Sequence, residues 1–301
     1  MTHRTCYHAI KNGLKVGLAI CLYTGMYTGI AAAQQTGAEA PRSPEQVDVY
    51  CSGVATTQPV PTDMYMISGE DSSFRNTYAQ GDNIYLNRGS EQGVKVGDQF
   101  EVIRPESDPL TDSPWFKWQV QLSRAMGTVY SDIARVQVFT VQPKTSIAKV
   151  TLACDLLQRG DIVRPFVTRQ VPQFKETGFE PFAPASGKKT AMVVTNKHFG
   201  QMAGIGQVVY VNLGSGQGVN VGNYFRFFRY QGNRNESLYQ NRGSAYKMYG
   251  YGSTPVAYTW QEIPRQVLGE GIVLRTGPNS ATVLITTARE EIFDGDYVEI
   301  E

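Results

Sequence analysis

Beyond residue 60 the chain is patterned with a period of two. Phe100 and Val102 fall on one face of their run, and Val136, Val138 and Thr140 share a face in another. Runs of this kind predict strands at 64–69, 83–87, 99–104, 126–132, 135–141, 146–152 and 161–166. A second series follows at 191–196, 207–212, 224–229, 268–276, 280–287 and 296–300. The pairs Gly81-Asp82, Gly97-Asp98, Gly160-Asp161 and Gly295-Asp296 each precede such a run and read as turns that start a strand. No long stretch carries the 3.6-residue period of a helix. Short helices are expected only at 151–158 or 288–293, just before the last strand of each series.

The two series are copies of one unit. YLNRGSEQGVKVGDQFEVIR, from Tyr85, recurs 125 positions later as YVNLGSGQGVNVGNYFRFFR, from Tyr210, with 11 of 20 residues identical. Between the copies Asp98 becomes Asn223, Lys95 becomes Asn220 and Glu91 becomes Gly216, whereas Gly89, Gly93 and Gly97 persist as Gly214, Gly218 and Gly222. A catalytic carboxylate or ammonium would be lost by those changes, and a turn would not. The motif is therefore read as structural, its glycines serving positive φ or close backbone approach. Asp98 and Asn223 are expected to bond a backbone N–H one or two residues on, and Val94 and Val96 to share a face.

The expected fold is all-β: two tandem small β-barrels, SH3-like or similar, after an N-terminal signal peptide. The boundaries read as signal peptide 1–33, flexible leader 34–47, first barrel repeat 48–166, linker 167–188 and second barrel repeat 189–301.

Charge and composition sharpen this picture at the N-terminus. Arg4, Lys11 and Lys15 precede the apolar run VGLAICLYTGMYTGIAAA, and Ala31 and Ala33 supply the small residues of a cleavage site before Gln34. An uncleaved membrane anchor is the alternative, and the only route to a membrane that the sequence offers. The net charge of +1 includes those three cations, so removing them leaves −2, with no clustered basic face for nucleic acid. The protein is expected in the periplasm or secreted. After cleavage only Cys51 and Cys154 remain, and an oxidising compartment favours a single disulfide between them over two separate buried thiols.

Catalytic chemistry is not legible. His198 is the one histidine beyond the leader, no zinc-ligand spacing occurs, and no G-x-S-x-G surrounds a serine. GSGQG at 214–218 lacks the Lys-Ser/Thr ending of a phosphate loop and aligns with GSEQG of the first copy. No enzyme, metal or cofactor is expected.

The pattern Y-x-N-x-G-S-x-Q-G-V-x-V-G-x-x-F is followed by a G-x-V strand, a strand opening with Ser, and a Gly-Asp before the last strand. In this order the chain resembles the C-terminal domain of the flagellar assembly protein T family, here doubled. The resemblance implies a periplasmic protein that binds or assembles and carries no enzymatic residues to transfer. VKVGD also resembles, more faintly, the Y-x-V-x-x-G-D-T-L phrase of LysM peptidoglycan-binding modules.

The copies differ most in two insertions, 105–125 and 231–261. Trp115 and Trp118 lie in the first; Tyr239, Tyr246, Tyr249, Tyr251 and Trp260 lie in the second. Loops at matching places on a rigid scaffold commonly carry binding, and Tyr, Trp, Asn, Gly and Ser suit adaptable recognition. These aromatics either cover the barrel ends or contact a ligand. The expected partner is an envelope protein assembly or, as the alternative, peptidoglycan or another cell-wall polysaccharide.

Overall fold

In the computed structural model the described residues are 40–106, 117–176, 180–230 and 264–301. The elements run α1 (Gln46–Tyr50), β1 (Val54–Thr56), β2 (Met66–Gly69), β3 (Thr77–Tyr78), β4 (Asn83–Leu86), β5 (Gln99–Pro105), α2 (Lys117–Met126), β6 (Thr128–Val141), β7 (Ser146–Ala153), β8 (Leu157–Gln158) and β9 (Ile162–Pro165). The second repeat continues with β10 (Thr190–Asn196), β11 (Met202–Ala203), β12 (Val208–Val211), β13 (Tyr224–Arg229), β14 (Gln266–Thr276), β15 (Ala281–Ala288), β16 (Ile292–Phe293) and β17 (Tyr297–Ile300).

The second repeat is a closed barrel of order β10-β12-β15-β14-β13-β17. The first is a curled sheet of order β2-β4-β7-β6-β5-β9, with β1 added on β6. Its ends meet through hydrogen bonds from Met66 N to Asp161 O and from Val163 N to Met64 O, each 2.9 Å. Period-two patterning has filled both interiors. Met66, Ile84, Val102, Val136 and Val150 are buried in the first, and Val193, Val209, Phe227, Val273 and Ile285 in the second. The fold is all-β with two barrel-like domains, as the alternation implied.

The duplication extends to strand register. Ile84 faces Ala148 where Val209 faces Val283, and Val102 faces Val163 where Phe227 faces Val298. A buried ion pair is copied too. Asp161 receives Arg104 through Nε and Nη2 at 2.7 and 2.9 Å, and Asp296 receives Arg229 the same way at 2.8 and 2.6 Å. A second cross-strand pair is copied with its polarity reversed. Glu101 opposes Arg164 across β5 and β9, and Arg226 opposes Glu299 across β13 and β17.

Two sequence expectations are corrected. No helix forms at 151–158 or 288–293. β7 runs on to Ala153, and Leu157–Gln158 pairs with Thr77–Tyr78. In the second repeat Ile292–Phe293 pairs with Met202–Ala203. Pairing with a distant hairpin outweighs local preference here. The runs at 126–132 and 135–141 form one long strand, β6, entered from α2 through Gly127.

The Gly-Asp turns share one mechanism. In each of six, a glycine at positive φ precedes a side-chain oxygen that accepts the N–H three residues back. Asp98 bonds Lys95 N and Asn223 bonds Asn220 N, each at 2.8 Å, so the side chain closes the turn behind it, not ahead as expected. Gln92 and Gln217 complete the motif by accepting Gly89 N and Gly214 N at 2.9 and 2.8 Å. Val94 and Val219 are buried while Val96 and Val221 are exposed, so each pair splits between two faces, because Val96 and Val221 lie within the turns that Asp98 and Asn223 close.

Gly93 and Gly89 are held for different reasons. Gly93 has φ +84° with open space around it, whereas a Cβ on Gly89 would lie 2.0 Å from the Gln142 carbonyl oxygen. Gly93→Ala is therefore expected to cost about 1 kcal/mol, from left-handed strain alone. Gly89→Ala must displace backbone and is expected to cost roughly 2–3 kcal/mol. Urea midpoints of the two variants compared with the parent check that order; a larger loss for Gly93→Ala would refute it.

The repeats are joined by residues 42–56, and the stretch expected as flexible leader ends in ordered contacts. Arg42 N donates to Thr286 O at 2.8 Å, and its guanidinium pairs with Asp48 at 2.7 Å. Cys51 and Cys154 form a disulfide that ties this segment to the first repeat. Its other side lies on the second. Val49 packs with Val208, Ile272, Leu274 and Leu284, all on the outer face of that barrel. By the shared register the first repeat has Asn83, Gln137, Phe139 and Lys149 at these places. The outer face of the second barrel has thus been made apolar to receive the segment.

The backbone of the segment is satisfied in the same way. The carbonyls of Cys51, Ser52, Gly53 and Ala55 accept from Lys197 Nζ (2.6 Å), Tyr210 Oη (3.0 Å), Thr282 Oγ1 (3.1 Å) and Ser280 Oγ (2.5 Å). Tyr210 is the second-copy partner of the motif's Tyr85; it is buried, and its hydroxyl pKa is raised mainly by desolvation.

Candidate binding groove

The polar side chains buried at this junction form a charged network. Asp132 accepts two bonds from Arg275 Nη1, at 3.0 and 2.9 Å, and one from Gly53 N at 2.8 Å. Arg169 Nη1 lies 3.8 Å from Asp132, and its Nη2 pairs with Glu101. Glu101 also meets Arg164 Nε at 2.6 Å. Three guanidinium groups thus face two carboxylates. The pKa of Arg169 is lowered, first by burial and then by the charge of Arg275.

The network opens into a groove of about 1170 Å³. One wall is the linker from Arg169 to Lys175; the other is the second-copy turn Val221–Tyr224 with the end of β14, Leu274–Thr276. The linker's sequence explains its course. Pro172 has no N–H to donate and holds Val171 extended. Tyr224 Oη accepts Lys175 N at 2.6 Å and fixes the far end, while Tyr50 Oη accepts Arg169 N at 3.1 Å and fixes the near end. Tyr224 is partly buried there, and desolvation raises its pKa. Gly222, at φ +87°, brings the turn against Pro172, whose Cβ is 3.7 Å from a Cβ built on the glycine.

The groove is mixed along its length: apolar at Val171, Pro172, Phe174 and Val221, polar at Gln170, Gln173, Asn223 and Thr276, and cationic at Arg169, Lys175 and Arg275. No acid is among its described lining residues. Val221 stays 50 % exposed within it. At the matching turn of the first repeat Val96 is 67 % exposed. A smaller cavity, about 440 Å³, lies between α1 and the second barrel beside Cys51, Lys197 and Gln207.

Of the aromatic residues singled out in the insertions, Trp118 is described. It lies in α2, partly buried, and its buried Nε1 has no hydrogen-bond partner among the described residues. The adjacent Gln119 donates to Val194 O at 2.8 Å and to Asp294 Oδ2 at 2.9 Å, which fastens α2 to the second barrel. Burial is the main cause that pushes the Asp294 carboxyl up to about 8. Trp115, Tyr239, Tyr246, Tyr249, Tyr251 and Trp260 lie outside the described residues, as do positions 1–33. Among the described residues no three His, Cys, Asp or Glu side chains converge as metal ligands, and no helix is long and apolar enough to cross a membrane.

The groove was not among the sites read from the sequence. A signal for it was present in the linker, which carries Arg169, Val171, Pro172, Phe174 and Lys175, but its seat on the second copy of the turn depends on how the barrels dock. No family model and no curated protein matches this chain.

Proposed function

We propose that this chain is a non-enzymatic, exported binding or assembly protein of the cell envelope. Its two barrels act as one rigid body that presents the groove beside the second-copy turn. The carrying observation is the groove itself: a half-apolar trough with three cations, built on strands and a doubly pinned linker, not on a free loop. The Cys51–Cys154 disulfide favours an oxidising compartment. The resemblance of the doubled motif to the flagellar assembly protein T domain agrees with an assembly role.

The test is site-directed photo-crosslinking in the intact cell. A photoreactive residue at Val221 is expected to give a discrete adduct with one envelope component, and one at Lys149, on the outer face of the first repeat, none. Absence of an adduct at 221, or the same adducts at both sites, overturns the reading. Retention on insoluble peptidoglycan that Trp118→Ala abolishes and Val221→Glu leaves intact would establish the cell-wall alternative in its place.

A further inference from the structure

The chemistry of the groove narrows what it holds, given that it is a binding site at all. Arg275 bonds Asp132 through Nη1 alone, and among the described residues nothing accepts from its Nε and Nη2, so that edge is left for another acceptor. Arg169 stands beside it in the same lining, and Lys175 marks the other end of the linker wall. The cations at this end outnumber the carboxylates that neutralise them, so a further anion is accepted without displacing an internal pair.

The walls speak for a peptide. They offer exposed Val171 and Val221 to an apolar side chain, beside Phe174 and Tyr224. The linker is extended from Gln170 to Phe174, and no backbone bond within the described residues engages its amides. Extended backbone with open donors and acceptors is what a second extended chain pairs with.

We propose that the groove binds an extended acidic peptide segment of a partner protein, with a carboxylate against Arg275 and Arg169 and an apolar side chain on Val171 and Val221. This rests on the reading of the groove as a binding site. It names the partner by charge and backbone form.

Fluorescence anisotropy of the full, disulfide-bonded chain tests it. The probes are a labelled octapeptide of alternating Glu and Leu, its Lys and Leu counterpart, and labelled polygalacturonate as an anionic glycan. The acidic peptide is expected to bind and to weaken with added salt, the basic one not to bind. Val221→Glu and Lys175→Glu, both at exposed positions, are expected to leave the thermal midpoint unchanged and weaken the acidic peptide about ten-fold, which is about 1.4 kcal/mol. Equal binding of both peptides, no change in either variant, or binding of polygalacturonate in preference to the peptide would each overturn the proposal. A Val221 photo-adduct that persists without acidic-peptide binding would remove the ligand class and leave the binding reading in place.

Discussion

Asp132→Ala is expected to destabilise the protein by about 3 kcal/mol, because it leaves two largely buried guanidinium groups, each still open on the groove side, facing each other without their shared carboxylate. Asp132 is 4 % exposed, and it holds Arg275 of the second repeat, Arg169 of the linker and the Gly53 amide at once. Asp132→Asn keeps an oxygen for the Gly53 N–H but loses the charge, so it should recover only part of the loss. Adding Arg275→Gln to Asp132→Asn removes both charges and should recover more, since breaking a buried pair costs more than deleting it. Urea denaturation followed by circular dichroism measures all three variants. A loss for Asp132→Ala below about 1 kcal/mol, the range of exposed pairs, would show that solvent reaches the network and screens it.

Loss of the disulfide is the second large effect. Cys51 and Cys154 are separated by 103 residues, and closing a loop of that size restricts the unfolded chain by about 4–5 kcal/mol in the chain-entropy model. Cys51→Ser with Cys154→Ser is expected to lower the thermal midpoint by roughly 8–20 °C, at about 2–4 °C per kcal/mol. The loss should not be confined to the first repeat. The residue after Cys51 accepts from Tyr210, and the two carbonyls beyond it accept from Thr282 and Ser280. Freeing the segment at its disulfide therefore loosens its grip on the second barrel as well. Hydrogen exchange of the variant should show lost protection at Val208–Val211 and Ala281–Ala288 as well as around Ser52–Thr56. Unchanged exchange in the second barrel would refute that coupling.

Much of the fold was legible because it is governed by local chemistry. Strand alternation, the Gly-Asp turns and the repeated motif need only neighbours in sequence, and every predicted strand has a counterpart in the structure. The partnership of Cys51 with Cys154 followed from compartment and number. The misplaced helices failed on long-range pairing: nothing near Leu157 announces that it will lie against Tyr78. α2 was missed although Trp118, Leu122, Ala125 and Met126 recur at helical spacing, because the run was read only as an insertion between strands. The docking of the barrels did leave a trace. Val208–Val211 is apolar at every position and wholly buried, and β14 is buried at eight consecutive residues, which a strand shows only when both faces are covered. The groove depends on that docking and was hidden with it.

The reversed pair, Glu101 with Arg164 and Arg226 with Glu299, bears on how two near-copies on one chain avoid exchanging parts. Each barrel is completed by a strand far along the chain, and the two completing strands, β9 and β17, follow the same register rule. Should β9 enter the second barrel, Arg164 would face Arg226; should β17 enter the first, Glu299 would face Glu101. Like charges directly opposed across a ladder destabilise it. The polarity of a single pair thus sets a charge mismatch against either closing strand in its sibling's barrel.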